Sequence, residues 1–298
     1  MVHPPMGESS EGHFRLGFDP RVRLEFHGSK ISSDGGLLLY GERDEVLGLF
    51  DKTVRFLQDT RRGKNGVHTL RGLLRQSVFS RLAGYEDVND AERLARDLVM
   101  RQIVGGRAVD GQAASFSQMG RFETEVLATS HNTDALTDMS GQWIDAVDER
   151  EGLNSITLDM DSSVSPTHGA QEGTAWSGHF GCNCYHPLFI FNQFGHLERC
   201  ALRNGNLHSA DNWKALLTPA IKRYAGRHIR RFFRADAAFA IPELYETLEA
   251  EGYHYAICLK KNAVLEKKIS HRLTRPGGRP SKTKVKRFYE TFQYQAAS

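Results

Sequence analysis

The spacing of apolar residues predicts that the first half of the chain is mainly helical. In one stretch, leucine and valine recur at four-residue intervals and define a helix with one apolar face: Leu70, Leu74, Val78 and Leu82. Two further helices are predicted over residues 115–128 and 133–149. The polar sequence after the first helix indicates a turn and a new helix start capped near Asn89 or Asp90. Residues 1–153 therefore form a predicted, mainly helical N-terminal domain.

Weaker signals precede the first helix. Residues 1–13 have the polar composition of a disordered segment, and residues 21–32 favour a short pair of strands.

The hydrophobic period changes after residue 154. Ile156, Leu158 and Met160 alternate with polar residues, as in a strand that buries one face. Residues 162–181 are rich in Gly and Ser and predict a long loop. The remaining pattern predicts four more strands and two helices, in the order strand 184–192, strand 197–203, a helix to residue 224, strand 228–235, helix 241–251 and strand 253–259.

The predicted order β-β-β-α-β-α-β is that of ribonuclease H-like domains up to their fifth strand. The fold class is therefore α/β, with a ribonuclease H-like mixed sheet over residues 154–262 behind the helical domain. In that fold the first and fourth strands are neighbours. Asp161 on the first strand and Asp236, just past the fourth, would then meet at one edge of the sheet.

These acids have more than one interpretation. Carboxylates from neighbouring strands can share divalent cations, which relieves their mutual repulsion. Asp161 alone would also fit a solvated strand end, and Asp236 would fit a helix N-cap. Asp159 shares the face of Asp161 and is a metal ligand, a residue supporting the ligands, or a solvated surface acid.

Composition and charge exclude several classes of protein. The chain has 298 residues, of which 40% are hydrophobic and 25% charged, and this is typical of a globular protein with room for two domains. A net charge of +3 is only a weak pointer to nucleic acid. Four cysteines at this length do not indicate a disulfide framework and favour a reducing cytosol. Without a signal peptide or an apolar run near the roughly 20 residues that span a bilayer, we expect a cytoplasmic protein.

Several sequence blocks, in a fixed order, carry a family resemblance. The central blocks are LDMDSSVSPTHG, RNGNLHSADNW and FFRADAAFAIPELYETLEAEGYHYAICLKKN, and the N-terminal ones are SSDGGLLL, LAGYEDVNDAERLARD and AASFSQMGRFE. Together, from about residue 18 to 262, they resemble bacterial insertion-sequence transposases with an Asp-Asp-Glu triad, in the group called DDE domain group 1. Any one block alone would be a weak signal.

The resemblance implies DNA transposition and recombination through metal-dependent cleavage and strand transfer, with two Mg²⁺ ions. The first two triad positions fall on Asp161 and Asp236. The third acid belongs to a Tyr-x-x-Arg-x-x-x-Glu-x-x-x-x-x-x-Lys pattern that this chain does not contain. Glu266 and Glu290 follow the fifth strand, but the pattern predicts no convincing helix for either.

The missing pattern leads us to expect a truncated copy with little transposition activity. The alternative is a catalytically inactive fragment that binds DNA or inhibits the intact enzyme. The expected partners are DNA, in the form of the terminal repeats of the element, and a second copy of the chain as a homodimer on DNA.

Basic residues supply the candidate DNA contacts. Residues 263–298 form a basic tail that is expected to be poorly ordered, and the stretch from 260 to 287 holds eleven Lys or Arg against one acid. Residues 74–97 fit either a helix-turn-helix or a plain helical hairpin. The candidates for phosphate contact are Arg75, Arg81, Lys260, Lys261, Lys267 and Lys268.

A zinc site is the alternative for one cluster. Cys182 and Cys184 would share one face of a strand, with His179 and His186 nearby. The Cys-x-Cys spacing is not that of common structural zinc sites, and the block lies within the family resemblance. We therefore favour the carboxylate site.

Overall fold

The chain divides into two structural units, which are described separately below. The first comprises Met1–Asn154 with Phe194–Ala201, and the second comprises Ser155–Gln193 with Leu202–Ser298. The structure is a computed structural model. It describes residues 14–19, 21–24, 34–62, 66–106, 111–272 and 287–295. The disorder predicted for residues 1–13 lies outside this range.

The first unit is built from short helices around an apolar core. Its helices are α1 Leu37–Leu47, α2 Leu49–Val54, α3 Leu70–Leu82, α4 Ala91–Leu94, α5 Leu98–Ile103, α6 Phe116–Arg121 and α7 Ser130–Glu151. Phe50 is fully buried and packs edge-on against Phe79, with ring centroids 5.2 Å apart. The indole of Trp143 packs on the same Phe50 ring at 5.5 Å. Between residues 34 and 151, every element in the described part of the chain is helical.

Local capping explains where the helices of the first unit begin. Thr69 caps α3, because its hydroxyl oxygen accepts the backbone N–H of Gly72. After α3 the cap is Asp87, which accepts the N–H of Asn89 and starts a short 3₁₀ turn before α4. Asp90 occupies the N-cap position of α4, one of the two positions predicted, but its side chain makes no capping hydrogen bond there.

The helix predicted over residues 115–128 is interrupted. It consists of α6 followed by a π-helical segment, Phe122–Leu127. This wider turn buries both Phe122 and Val126 in the core. The strand pair was predicted within residues 21–32, but β2 Arg23–Leu24 pairs antiparallel with β1 Phe14–Arg15, which lies before that range. Residues 25–32 of that prediction lie outside the described part of the chain.

Eight further strands follow α7. They are β3 Ser155–Ser162, β4 Ser165–Pro166, β5 Ala175–Ser177, β6 Cys182–Tyr185, β7 Leu188–Asn192, β8 Leu197–Ala201, β9 Arg230–Ala235 and β10 His254–Ile257. The larger sheet has five strands in the order β10-β9-β3-β7-β8. It is mixed, because β3 runs antiparallel to β7 but parallel to β9, and β9 runs parallel to β10.

One face of β3 is the apolar face predicted from its alternation. Ile156, Leu158 and Met160 are at most 1% exposed. Two helices, α8 Trp213–Tyr224 and α9 Pro242–Ala250, connect β8 to β9 and β9 to β10. Pro242 occupies the first turn of α9, where a missing N–H costs nothing.

The predicted strand over residues 184–192 is wrong as a single element. Pro187 has no N–H to donate to a ladder, and it separates β6 from β7. The N–H of His186 instead donates to the carbonyl of Arg203 at 2.8 Å, and Pro187 accepts from Ser163 at 3.0 Å. β6 lies in a separate three-stranded sheet of order β4-β6-β5, so the predicted long loop over 162–181 also contains two short strands.

The backbone at Gly205 packs closely against β5 and β6 of this small sheet. Gly205 lies so near β6 that an added Cβ would come within 2.4 Å of the carbonyl oxygen of Cys184 and 2.7 Å of that of Ala175. Only glycine fits this position without moving backbone.

The chain continues beyond β10 as a short helix, α10 Ala263–Ile269. Asn262 caps it by accepting the N–H of Leu265 at 2.9 Å. Glu266 therefore does lie on a helix after the last strand of the sheet, which corrects the expectation that it would not. Residues 273–286 of the predicted disordered tail lie outside the described part of the chain.

Candidate active site

Two aspartates follow the paired ends of two parallel strands. The register of β3 against β9 matches Asp159 with Arg234 and Met160 with Ala235. Asp161 and Asp236 are the next residues on each strand. Because neighbouring strands lie about 4.8 Å apart, the two aspartates start from adjacent backbone positions.

Both carboxylates face the same side of the sheet. Side chains alternate along a strand, so Asp161 lies on the face opposite the buried Met160. Asp236 still has extended backbone angles and lies opposite Ala235, on the face of Arg234. Both aspartates are exposed. The fold thus brings together the two acids that the sequence singled out.

Each aspartate keeps free oxygen capacity. Asp161 accepts the N–H of Ser162 at 2.8 Å, and Asp236 accepts the N–H of Ala238 at 2.9 Å, which caps the 3₁₀ turn Ala237–Phe239. The N-cap role considered for Asp236 is therefore real, and it orients the carboxylate. Since each hydrogen bond uses one of about four acceptor sites, both groups can still ligate a cation. Mg²⁺ typically binds through one or two carboxylates plus water, so this pair fits it.

The third acid on this face is already paired. The guanidinium of Arg234 donates to both oxygens of Asp159, from Nε and from Nη2, each at 2.5 Å. This hydrogen bond with Asp159 raises the pKa of Arg234 above its usual range. Asp159 therefore neutralises Arg234, and its carboxylate is not free in the way that those of Asp161 and Asp236 are.

The acids after β10 also have basic partners. Glu266 lies 2.7 Å from the ammonium of Lys261. Glu290 accepts from His271 at 2.8 Å and from Arg272 at 3.2 Å, and these contacts lower its pKa. Within the described residues, no group of three or more His, Cys, Asp or Glu is arranged to hold a metal ion.

The residues of the alternative zinc site have structural roles. His186 is buried, and its Nδ1 lies 2.9 Å from the carbonyl of Leu207. Cys184 is fully buried beside Cys182. Burial is the main cause that raises the pKa of the Cys184 thiol, and the neighbouring Cys182 raises it further. Because metals bind the thiolate, this environment disfavours a zinc site.

The two arginines of the first unit that were predicted to contact DNA differ in burial. Arg75 is buried, with 6% of its side chain exposed, and its guanidinium donates to Asp44, Glu45 and the carbonyl of Ile103. Arg75 therefore belongs to the core and is withdrawn as a candidate for phosphate contact. Arg81 is 48% exposed, although it also bonds Ser77 and Glu123.

The four lysines predicted to contact DNA are exposed. Lys260 and Lys261 follow β10, whereas Lys267 and Lys268 lie on α10. The ammonium of Lys268 sits 5.5 Å from the centre of the Phe292 ring, a cation–π contact. None of the described helices is long and apolar enough to cross a bilayer.

Arg234 is the residue of this region that the sequence reasoning missed. The sequence did contain a signal for Arg234. Arg234 lies two residues before Asp236, and Asp159 lies two before Asp161, so in two strands each residue would share a face with the acid that follows it. The pairing followed only once the register of the two strands was known.

Among known proteins, the chain matches one family model and is similar to several solved structures. No curated protein sequence matches the chain. Among solved structures, the chain is similar to the piggyBac transposase in a synaptic complex with hairpin DNA, with 12% identity and a TM-score of 0.40 over 78% of this chain and 52% of that one. The chain thus spans about half the length of that transposase.

A second solved structure is the Mos1 strand transfer complex, with 12% identity and a TM-score of 0.25 over 83% of this chain and 75% of that one. The family model described as transposase DDE domain group 1 matches residues 14–298, nearly the whole chain. This chain therefore belongs to the transposase DDE domain group 1 family.

Proposed function

We propose that this chain acts on DNA as an insertion-sequence transposase, with Asp161 and Asp236 as ligands of catalytic Mg²⁺. The observation that carries the proposal is the register of β3 against β9, which ends with Met160 opposite Ala235. The two carboxylates follow on one exposed face. Membership of a DDE transposase family supports a site built from carboxylates.

The chemistry fits the residue types. Cleavage of a phosphodiester needs an activated water or 3′-hydroxyl and a stabilised leaving oxygen, and a pair of bound Mg²⁺ ions would supply both. The part of this chain is to present hard oxygen ligands from two rigid strands. The backbone N–H groups of Ser162 and Ala238 hold those ligands in place.

Exposed basic residues support DNA as the partner. Lys260, Lys261, Lys267 and Lys268 all lie in the second unit, which also carries the two aspartates. Phosphate contacts by such residues would make DNA affinity fall steeply with salt. The proposed substrate is the terminal repeats of the element, bound by two copies of the chain.

Metal binding and cleavage together test the proposal. The full chain is titrated with Mn²⁺ while the free ion is followed by electron paramagnetic resonance, and nicking of supercoiled plasmid DNA is measured in Mg²⁺ or Mn²⁺. Asp161→Asn and Asp236→Asn should each weaken Mn²⁺ binding at least about tenfold and abolish nicking. Asp134→Asn changes an exposed acid on α7 and serves as the matched control. Unchanged Mn²⁺ binding in both site variants would refute the metal site.

A second candidate function is DNA binding without cleavage, and the pairing of the acids after β10 favours it. Glu266 is paired with Lys261, and Glu290 with His271 and Arg272, so each of these acids already has a basic partner. This candidate predicts salt-dependent DNA binding together with Mn²⁺ binding at Asp161 and Asp236, but no nicking. Metal-dependent nicking that Asp236→Asn abolishes would exclude it.

A further inference from the structure

The pair formed by Asp159 and Arg234 lies on the same sheet face as the candidate ligands. Both strands alternate, so Asp159 shares a face with Asp161, and Arg234 shares a face with Asp236. With a rise of about 3.3 Å per residue, each partner starts about 7 Å along its strand from one candidate ligand. Three carboxylates and one guanidinium therefore occupy two successive cross-strand rows.

The geometry of the pair is that of a two-point clamp. Nε and Nη2 of Arg234 each donate to a different oxygen of Asp159 at 2.5 Å, so both carboxylate oxygens are engaged. Bidentate pairing of this kind is stronger and more directional than a single contact. The side chains remain 33% and 59% exposed, for Asp159 and Arg234 respectively. Water and ions therefore reach the pair, and its contribution to stability is small.

The pair changes the charge that a cation meets at the site. With Arg234 present, Asp159 is neutralised and the face carries the two negative charges of Asp161 and Asp236. Without Arg234, a third unpaired carboxylate would stand one row below them. Without Asp159, an unpaired guanidinium would stand there and repel a divalent cation.

We propose that Arg234 is a positioning residue that holds Asp159 away from the metal site and leaves two negative charges to bind the cation. The inference rests on the proposed function, because it takes Asp161 and Asp236 to be the ligands. A pair with a purely structural role would only hold β3 and β9 together, and removing either of its charges would not shift cation affinity in opposite directions. The two roles predict different responses to single substitutions.

The test measures Mn²⁺ binding to the full chain without DNA. Arg234→Gln frees Asp159 and should tighten Mn²⁺ binding, whereas Asp159→Asn unmasks Arg234 and should weaken it. A unit charge about 7 Å from a divalent ion shifts its affinity by about three- to tenfold at low ionic strength. The shifts should shrink at 0.5 M salt, because charges on an exposed surface are screened.

Two further variants make the test specific. The double variant Asp159→Asn/Arg234→Gln removes both charges and should bind Mn²⁺ within about twofold of the parent chain. Arg234→Lys keeps the positive charge but loses the fork, and it should also stay close to the parent. Thermal melting of every variant establishes that it is folded, and the weakening expected for Asp159→Asn keeps the inference testable if Arg234→Gln does not fold.

The outcomes separate this inference from the proposed function. Opposite shifts in the two single variants, cancelled in the double variant, support it. Shifts in the same direction, or none, would overturn it if Asp161→Asn and Asp236→Asn still weaken Mn²⁺ binding. If Asp161→Asn and Asp236→Asn leave Mn²⁺ binding unchanged, the proposed function fails, and this inference fails with it.

Discussion

Two ion pairs of the same chemistry occupy opposite environments in the two units of this chain. In the first unit, Asp44 and Arg75 are 1% and 6% exposed, and Asp44 also accepts the N–H of Phe50. In the second unit, Asp159 and Arg234 are 33% and 59% exposed. A buried charge that loses its partner cannot recruit water, whereas an exposed one can. Burial, rather than the hydrogen bonds themselves, therefore decides whether such a pair serves stability or can serve a site.

The largest effect should come from breaking the buried pair. Asp44→Ala leaves the N–H of Phe50 without its acceptor and removes the main partner of Arg75, whose contact with the carboxylate of Glu45 remains. The first unit should lose about 3–5 kcal/mol of stability. Hydrogen exchange at amides of α1 and α3 during urea titration measures this unit directly. Asp134→Asn is the control, and equal protection in the two variants would contradict the structural role of the pair.

The next largest effect should come from the close backbone approach at Gly205 in the second unit, a contact that involves no charged group. Gly205→Ala places a methyl group within 2.4 Å of the carbonyl oxygen of Cys184, so backbone must move. We expect a loss of about 1–3 kcal/mol, measured as a lower melting temperature. Gly178→Ala is the matched control, because an added Cβ there meets nothing within 4 Å. A melting temperature for Gly205→Ala equal to that of the control would show that this contact is looser than described.

A smaller effect concerns pH in the network around Arg75. Partial burial raises the pKa of Glu45, but the hydrogen bond from Arg75 and the charges of Arg71 and Arg75 outweigh it, so the pKa lies below its usual range. The folded state thus favours the charged carboxylate. This contribution is fully present above the unfolded pKa, about 4.3, and is lost as pH falls through the lower folded value.

Because Glu45 is partly exposed, we expect the contribution to be about 1 kcal/mol. Melting temperatures measured from pH 6 to pH 3 should fall less steeply for Glu45→Gln than for the parent chain. Glu92→Gln, on α4, is the comparison variant. Parallel curves for the parent and Glu45→Gln would show that the network does not depend on this charge.

The smallest effect on stability should come from the exposed pair. Asp159→Asn removes a contact that is open to water and salt, so the loss should be about 0.5 kcal/mol or less. Chemical denaturation with and without 0.5 M salt is the appropriate measurement. A loss comparable to that of Asp44→Ala would remove the contrast between the two pairs.

The sequence predicted the elements whose signals are local. The bounds of α3, α7, α9 and β3 agree with the structure within about three residues, because repeated apolar spacing and caps such as Thr69 act over a few positions. The break at Pro187 was missed because a continuous apolar run outweighed one residue. Its partner contacts, from His186 to Arg203 and from Ser163 to Pro187, join segments 17 and 24 residues apart.

Long-range pairing explains what the sequence could not give for the site. From the sequence alone, Arg75 resembles a surface residue of an amphipathic helix. In the structure it is buried and paired with Asp44, which lies 31 residues away along the chain. The clamp of Arg234 on Asp159 joins residues 75 positions apart and depends on an exact strand register. The identities of Asp161 and Asp236 as candidates came from local patterns and the family resemblance, but their shared face required the sheet.

The parallel pairing of β3 with β9 has a consequence for how the chain folds. The two strands are adjacent in the sheet, but β7, β8, the three-stranded sheet and α8 lie between them along the chain. A loop of about 70 residues must therefore close before β3 and β9 can pair. Contacts of such high sequence separation form slowly, because loop closure must precede any gain from pairing. During synthesis, β3 therefore emerges long before its neighbour on that side exists. The two proposed ligands can meet only after β9 and Asp236 have been made, so a nascent chain that ends between residues 162 and 229 would lack the proposed metal site.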